Sequence, residues 1–344
     1  MATLKNKNFF WKGKCGPLLI AEIGGNHEGD FEYAKKLTKL AINSGVDVVK
    51  FQIYSGDTLV NKRQSPKRHK HFKKFQLSKK QHIYLAEMCI KNGIKYLASV
   101  WDLDTLSWID KYLSFYKIGS GDLTCYPIIK KLAKRGKPII LSTGLSDLKE
   151  VNSSIKFLRK ENKIYKLSQN LAVLQCTSSY PTIDSEANLN VIKTYLKQKN
   201  ITVGYSDHTL GNTALLTAFT LGAQVMEFHF TDTRKNKIFR DHKVSLTKEE
   251  TKELIRSITR VKILLGNTNK IPTKCEIKSK HVKSFRRATF FSRDLSKGYE
   301  IKEKDLVFLR PNVGLDARET KKVIGRKLRR NVKKFDKIMI NKNV

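Results

Sequence analysis

Eight short apolar, β-branched runs punctuate the chain between residues 18 and 230, and a polar or amphipathic stretch follows each. They are LLIAEIG (18–24), VDVVKFQIY (46–54), KYLASV (95–100), FYKIGS (115–120), KPIILST (137–143), LAVLQCT (171–177), TVGYSD (202–207) and VMEFHF (225–230). Near-continuous apolar strands alternating with helices suit a parallel sheet covered on both faces. Eight such units in about 250 residues predict an α/β fold, a (β/α)8 TIM barrel. An open doubly wound sheet needs no eighth strand, and no G-x-G-x-x-G loop follows the first run to favour one. In the stretch 31–45, Tyr33, Leu37, Leu40 and Ala41 share one helical face. Gly45, Gly93, Gly136 and Gly222 stand where helices stop before the next strand, and Thr247 with Glu250 makes a capping box.

After Gly266 the pattern changes. Residues 1–266 form the barrel domain, 267–284 read as a polar, basic linker, and 285–344 as a small strand-rich domain. A module of about 60 residues is small enough to prefer packing against a partner. No apolar run approaches the ~18–20 residues of a membrane-spanning helix, and the N-terminus has no secretory apolar region. The five cysteines are odd in number and scattered, with no C-x-x-C pair. That argues against a disulfide framework or structural zinc and for the cytoplasm.

Lys and Arg number 68 against 31 Asp and Glu, a net charge of +37. Such a balance is a common footprint of nucleic-acid or anionic-membrane binding. Here no zinc-finger spacing, RNP motif or basic zipper accompanies it, and lysine is spread through nearly every expected helix. Polyanion binding is therefore the alternative reading, not the primary one, and neither nucleic acid nor membrane is the expected partner.

A barrel carries its chemistry at the C-terminal ends of its strands. Those ends supply Glu22, Asn26 and His27; Lys50 and Gln52; Lys117, Ser120 and Asp122; Ser142 and Thr143; then QCTSSYP, YSDHT and MEFHFTD. A buried, unpaired ammonium costs several kcal/mol, so lysines inside two barrel strands need a reason. Lys50 and Lys117 with Ser120, Ser142 and Ser206 suit a phosphorylated carboxylic acid; the alternative is that each lysine snorkels to water. His208 and His229 end neighbouring strands and suit a divalent metal such as Mn²⁺ that keeps open positions, with Asp207 and Glu227 as orienters. Taken singly, each is simply a hydrogen-bonded core histidine. His27 fixes its loop, Cys176 reads as a small core residue with no neighbour lowering its thiol pKa, and 55–77 reads as either a channel rim or a solvated loop. The residues alone describe a metal-assisted barrel enzyme acting on a phosphorylated small acid.

The ordered segments AEIGGNHEGDFEYAKKLTKLAINSGVDVVKFQ, FYKIGSGDL, KPIILSTGLS, LQCTSSYP, VGYSDHTLG, EFHFTD and DHKVSL resemble those of the N-acetylneuraminate (sialic acid) synthase family. RRATFFSRDLSKGYEIKEKDLVFLRP is similar to that family's SAF (antifreeze-like) domain. The resemblance implies condensation of phosphoenolpyruvate with an N-acyl amino sugar, giving a nine-carbon 2-keto acid and phosphate. It implies that Lys50, Lys117, Ser120, Ser142 and Ser206 hold phosphoenolpyruvate, that His208 and His229 bind Mn²⁺, and that Glu22, Gln52 and Asp241 contact the sugar. It further implies a domain-swapped homodimer, in which the SAF domain of one subunit covers the other's barrel and presents Arg310 to the sugar's acyl group.

Departures fall on one side. Asp122 replaces an acid one methylene longer, Ser179 replaces the amide of CTSNYP beside Tyr180, Ser99 stands in ASVWD, and EKHF has become EFHF. Glu22, Lys50, Lys117 and Asp122 are the catalytic candidates, while Gln52, Ser99, Ser179 and Tyr180 join the substrate-binding set. The acceptor expected by default is N-acetylmannosamine. A 2,4-diacetamido-6-deoxy sugar, leading to legionaminic- or pseudaminic-type acids, is the alternative, and DHKVSL is closer to the sialic and legionaminic branch. A phosphosugar-acid synthase shares the barrel but would lack the SAF domain.

Overall fold

The structure, a computed structural model, describes residues 11–344. The chain divides into two compact units, with the boundary after Gly266. In the first unit the strands are β1 (Leu18–Glu22), β2 (Val48–Ile53), β3 (Lys95–Val100), β4 (Tyr116–Ile118), β5 (Ile139–Ser142), β6 (Leu171–Cys176), β7 (Thr202–Asp207) and β8 (Val225–His229). They pair in parallel in chain order, and β8 returns to β1, so the barrel closes and the open sheet is excluded.

Strand alternation sorts the side chains into two layers. Leu19, Ala21, Val49, Phe51, Tyr96, Ala98, Ile139 and Leu141 pack outward beneath the helices. Each fully buried apolar side chain of this size contributes roughly 1.5–3 kcal/mol. The opposite parity, Leu18, Ile20, Val48, Leu97, Phe115, Ile140, Leu174 and Val225, forms a second apolar cluster inside the barrel. Two residues further along each strand the same parity turns polar: Glu22, Lys50, Ser99, Lys117, Ser142, Cys176 and Glu227. The site is thus the top layer of the barrel interior, resting on an apolar floor.

Local signals set the surrounding helices. Asp30 caps the helix Phe31–Ile42, which buries Ala34, Leu37, Thr38 and Ala41, with Tyr33 and Leu40 packed at the margin. The Thr247–Glu250 capping box opens the helix Lys248–Leu265. Gly45, Gly93, Gly136 and Gly222 all take positive φ where the helices stop. Segment 55–77 is not a solvated loop: it holds the helices Gly56–Leu59 and Pro66–Phe75, and buries Phe75.

The second unit carries β9 (Ala288–Phe291), β10 (Leu306–Leu309) and β11 (Leu315–Asp316) in an antiparallel sheet of order β10-β9-β11. Phe291, Leu295, Ile301, Leu328, Val332 and Ile338 fill its core. The stretch read as linker belongs to this unit and contains the short helices Lys274–Lys278 and His281–Ser284. Its polar composition hid a capping box between Thr273 and Glu276. Among the described residues no helix is long and apolar enough to cross a membrane.

Candidate active site

The C-terminal ends of the barrel strands surround a cavity of about 1340 Å³. Of the residues singled out in the sequence, Glu22, Lys50, Gln52, Ser99, Lys117, Ser120, Asp122, Ser142, Tyr180, Ser206, His208, His229 and Asp241 line it. Ser179 does not: its Oγ donates to the Pro181 carbonyl, and Ser178 faces the cavity instead. Arg310 belongs to the second unit, where its guanidinium lies 5.6 Å from the Phe285 ring centroid. Segment 55–77 contributes Arg68, His71 and Phe72 to the lining.

Register brings the charges together. Glu22 pairs with Lys50 across β1–β2, Gln52 with Ser99 across β2–β3, Ser99 with Lys117 across β3–β4, and Ser206 with Glu227 across β7–β8. Lys50 and Lys117 are 3% and 4% exposed, so neither snorkels to water. Lys50 Nζ donates to Glu22, whose other oxygen accepts from Gln52 Nε2 at 3.0 Å. Lys117 Nζ donates to Ser142 Oγ at 2.7 Å and lies 3.5 Å from Glu227. Glu227, expected as an orienter of histidine, sits instead between the two lysines and accepts from Ser206 Oγ at 3.2 Å. The strand-end reading named this carboxylate but gave it to the histidines rather than to the lysines.

Burial shapes the acidities. It raises the Glu22 carboxyl, and Glu227 nearby adds to the rise against Lys50. Burial raises Glu227 too, but Lys117, Lys50 and the Ser206 bond outweigh it and hold this carboxyl low. For the lysines, burial favours the neutral form: Lys117 falls, while Glu22 and Glu227 overcome burial and raise Lys50. Burial also raises Asp122, which only Lys117 opposes.

The histidines form a second group. The His208 and His229 ring centroids are 5.3 Å apart, and Tyr180 lies over both at 4.1 and 5.7 Å. His208 Nδ1 bonds the Thr177 carbonyl at 2.7 Å, so Nδ1 carries a proton and the neutral ring has its lone pair on Nε2; burial lowers the ring's pKa, but Cys176 and the Thr177 bond outweigh it and raise it. His229 Nδ1 is buried with no hydrogen-bond partner among the described residues, and Asp241 Oδ2 is 3.9 Å away. Among the described residues no group of three or more His, Cys, Asp or Glu side chains forms a metal cage. Two imidazoles of this kind fit a divalent ion whose remaining positions go to water and substrate. Asp207 does not orient either ring; it accepts from Tyr205 Oη and Thr209 N, both at 2.9 Å.

Cys176 is no bystander. Its thiol faces the cavity 3.8 Å from His208 Nδ1, and although burial raises its pKa, His208, Ser120 and Lys117 together bring it below the ordinary value. The signal was in the strand parity that also points Ser142 and Glu227 inward. His27 holds its own loop, with Nδ1 accepting from Gly29 N at 3.0 Å.

A model of the NeuB family matches residues 37–270. The chain belongs to the NeuB family of sialic acid synthases. NeuB-family synthases are enzymes that condense phosphoenolpyruvate with sugars. The chain is 36% identical to the N,N'-diacetyllegionaminic acid synthase of Legionella pneumophila, over 91% of each. It is 33% identical to the N-acetylneuraminate-9-phosphate synthase of Mus musculus, over 78% of this chain and 76% of the relative. Its fold is similar to the crystal structure of the N-acetylneuraminic acid synthetase of Leptospira borgpetersenii, with TM-score 0.70, 26% identity, and coverage of 77% and 90% of the two chains.

Proposed function

We propose that this NeuB-family chain condenses phosphoenolpyruvate with an N-acyl amino sugar and water, giving a nine-carbon 2-keto sugar acid and phosphate. The observation that carries the reading is the buried pair of ammonium groups, Lys50 and Lys117, set among Ser120, Ser142 and Ser206 on the floor of one cavity. A trianionic substrate is held there by charge and hydroxyl donors in a desolvated setting, where each contact is stronger than in water.

His208 and His229 would hold a divalent ion, Mn²⁺ by expectation, which would supply Lewis acidity toward the acceptor's aldehyde. The enol carbon of phosphoenolpyruvate bonds to the aldehyde carbon, and positive charge develops at the carbon bearing phosphate. Water adds to that carbon, and the tetrahedral adduct expels phosphate to leave the ketone. Glu22, raised by burial and linked to Lys50 and Gln52, is the group suited to holding a proton at this step. Asp122, on the cavity wall and also raised, is the second proton-holding candidate. Gln52, Ser99, Tyr180 and Asp241 line the remaining wall and position the sugar.

The acceptor proposed by default is N-acetylmannosamine, with a 2,4-diacetamido-6-deoxy sugar as the alternative; similar relatives are named for diacetyllegionaminic acid and for N-acetylneuraminate 9-phosphate alike. We also propose that the enzyme is a cytoplasmic homodimer whose SAF domain, the second unit, offers Arg310 to the partner's sugar. Activity regained on mixing inactive His208→Ala with inactive Arg310→Ala chains tests that arrangement. The reaction itself is tested by phosphate release from phosphoenolpyruvate with Mn²⁺ against a panel of both acceptors and unacylated hexoses, with a chelator control. Chelator-sensitive release with an N-acyl amino sugar supports the reading; release with none of them overturns it.

A further inference from the structure

Two carboxylates stand beside the paired lysines, and they are used differently. Both oxygens of Glu22 are engaged, one by Lys50 and the other by Gln52 Nε2. Glu227 Oε1 meets Ser206 Oγ at 3.2 Å, Lys117 Nζ at 3.5 Å and Lys50 Nζ at 3.8 Å. Its Oε2 is buried with no hydrogen-bond partner among the described residues. Register holds this carboxylate in place, since Glu227 lies within β8 opposite Ile20 of β1 and Ser206 of β7. The side chain is 7% exposed and lines the cavity.

A buried carboxylate oxygen without a donor is uncommon, and it calls for a ligand that supplies one. Phosphoenolpyruvate does not. As a trianion it offers only acceptors, and it meets the like charge of Glu227. A carboxylate set between two ammonium groups in an anion site therefore serves a second reactant, one that carries a donor. Water is that reactant: it is small, it is consumed in the reaction, and it donates to a carboxylate. A bound water needs two to four polar partners. Glu227 Oε2, the Lys50 and Lys117 ammoniums and Ser206 Oγ are polar groups gathered at this one place.

We propose that Glu227 is a further catalytic residue of this site, whose Oε2 accepts a hydrogen bond from the water that adds to the phosphate-bearing carbon. The assignment rests on the synthase reading above. The hydrogen bond aims the water's lone pair at that carbon, and the new carbon–oxygen bond forms. The bond from carbon to the phosphate oxygen then breaks, its electron pair leaving with phosphate as the ketone forms. Of the water's two protons, one ends on phosphate and the other on the oxygen that was the aldehyde's. Atoms and charge balance, and Glu227 is unchanged at the end.

The test is Glu227→Gln, assayed by phosphate release with Mn²⁺ and the acceptor that the wild-type enzyme uses best. Its kcat and kcat/KM for phosphoenolpyruvate are expected to fall together by roughly 10²-fold, the mark of a contact made only in the transition state. KM for either substrate should change by less than about threefold. The ratio of kcat in H₂O to kcat in D₂O should exceed the wild-type ratio, because water addition has become the slow step. Equilibrium titration with phosphoenolpyruvate should show binding retained, which a merely unfolded variant would not give. Should Glu227→Gln not bind it, Glu227→Asp, which keeps the charge and withdraws the oxygen, is read in the same way. A raised KM for phosphoenolpyruvate with kcat unchanged marks a group that only tunes the lysines. A raised KM for the sugar alone marks one that holds a sugar hydroxyl. Either result, or an isotope ratio equal to wild type, overturns the assignment and leaves the synthase reading standing. Wild-type silence with every acceptor overturns both.

Discussion

Glu227 Oε1 lies 3.5 Å from the Lys117 ammonium, while Glu227 Oε2 is buried with no hydrogen-bond partner among the described residues. Removing one member of a buried pair leaves the other's charge poorly compensated, which costs up to roughly 3–5 kcal/mol, with Lys50 at 3.8 Å still facing Glu227. Lys117→Met is expected to destabilise the fold by that order, and adding Glu227→Gln to recover part of the loss. Urea unfolding of the two single variants and the double variant measures the coupling, expected at about 0.5–3 kcal/mol. Each single variant is also expected to lower kcat by roughly 10²-fold or more, because both charges line the cavity proposed to hold phosphoenolpyruvate. Strict additivity in the unfolding series would show that the two groups do not act as a pair.

The orphaned His229 Nδ1 and the fixed tautomer of His208 lead to a metal prediction that does not depend on turnover. Mn²⁺ at a hundredfold over its dissociation constant is expected to stabilise the wild-type fold by about 2.7 kcal/mol. That gain should be seen as a rise in melting temperature, absent in both His208→Ala and His229→Ala. An equal rise in all three proteins would place the ion elsewhere.

How much of this was legible in the sequence depends on periodicity. The barrel was legible because eight apolar runs and their glycine stops each carry a local signal, and all eight became strands. Lys50, Lys117, Ser142 and Ser206 were legible because polar residues interrupt apolar strands at their C-terminal ends. Glu227 and Cys176 obey the same parity as these residues, but flanking histidines and a small apolar-looking thiol drew the reading elsewhere. Ser178 and Ser179 could not be told apart, because β6 ends at Cys176 and two-residue alternation has no force in the turn beyond it. The helices in 55–77 and 274–284 were hidden by lysine-rich composition, since charge masks a weak amphipathic pattern.

Gly144 offers a way to disturb the proposed phosphoenolpyruvate site without touching a charge. Its amide donates to Ser120 Oγ at 3.0 Å. A Cβ there would stand 2.3 Å from Ser178 Oγ and 2.9 Å from Ser120 Oγ, so both hydroxyls must move. Gly144→Ala is expected to raise KM for phosphoenolpyruvate by about tenfold, the value of one displaced charge-assisted hydrogen bond. Its stability cost is expected at roughly 1–3 kcal/mol, as for other overpacked sites. A normal KM would mean that Ser120 does not contact the anion.

Acid sensitivity of the barrel's last helix can be assigned to one carboxyl. Glu250 accepts from Arg234 Nη1 at 2.7 Å and closes the capping box with Thr247. The Arg234 bond, with help from Thr247, pushes its pKa down to about 2. A folded-state value below the unfolded one means the unfolded chain binds the proton more readily. The stabilisation is therefore complete above the unfolded value of about 4.3, and it is lost as pH falls through the folded value. Glu250→Gln keeps an acceptor for the box but not the charge. Its deficit relative to wild type in urea unfolding should be constant from pH 7 to 5 and should shrink steadily below pH ~4. A deficit that stays unchanged at pH 3 would mean the Arg234 pair is not formed in solution.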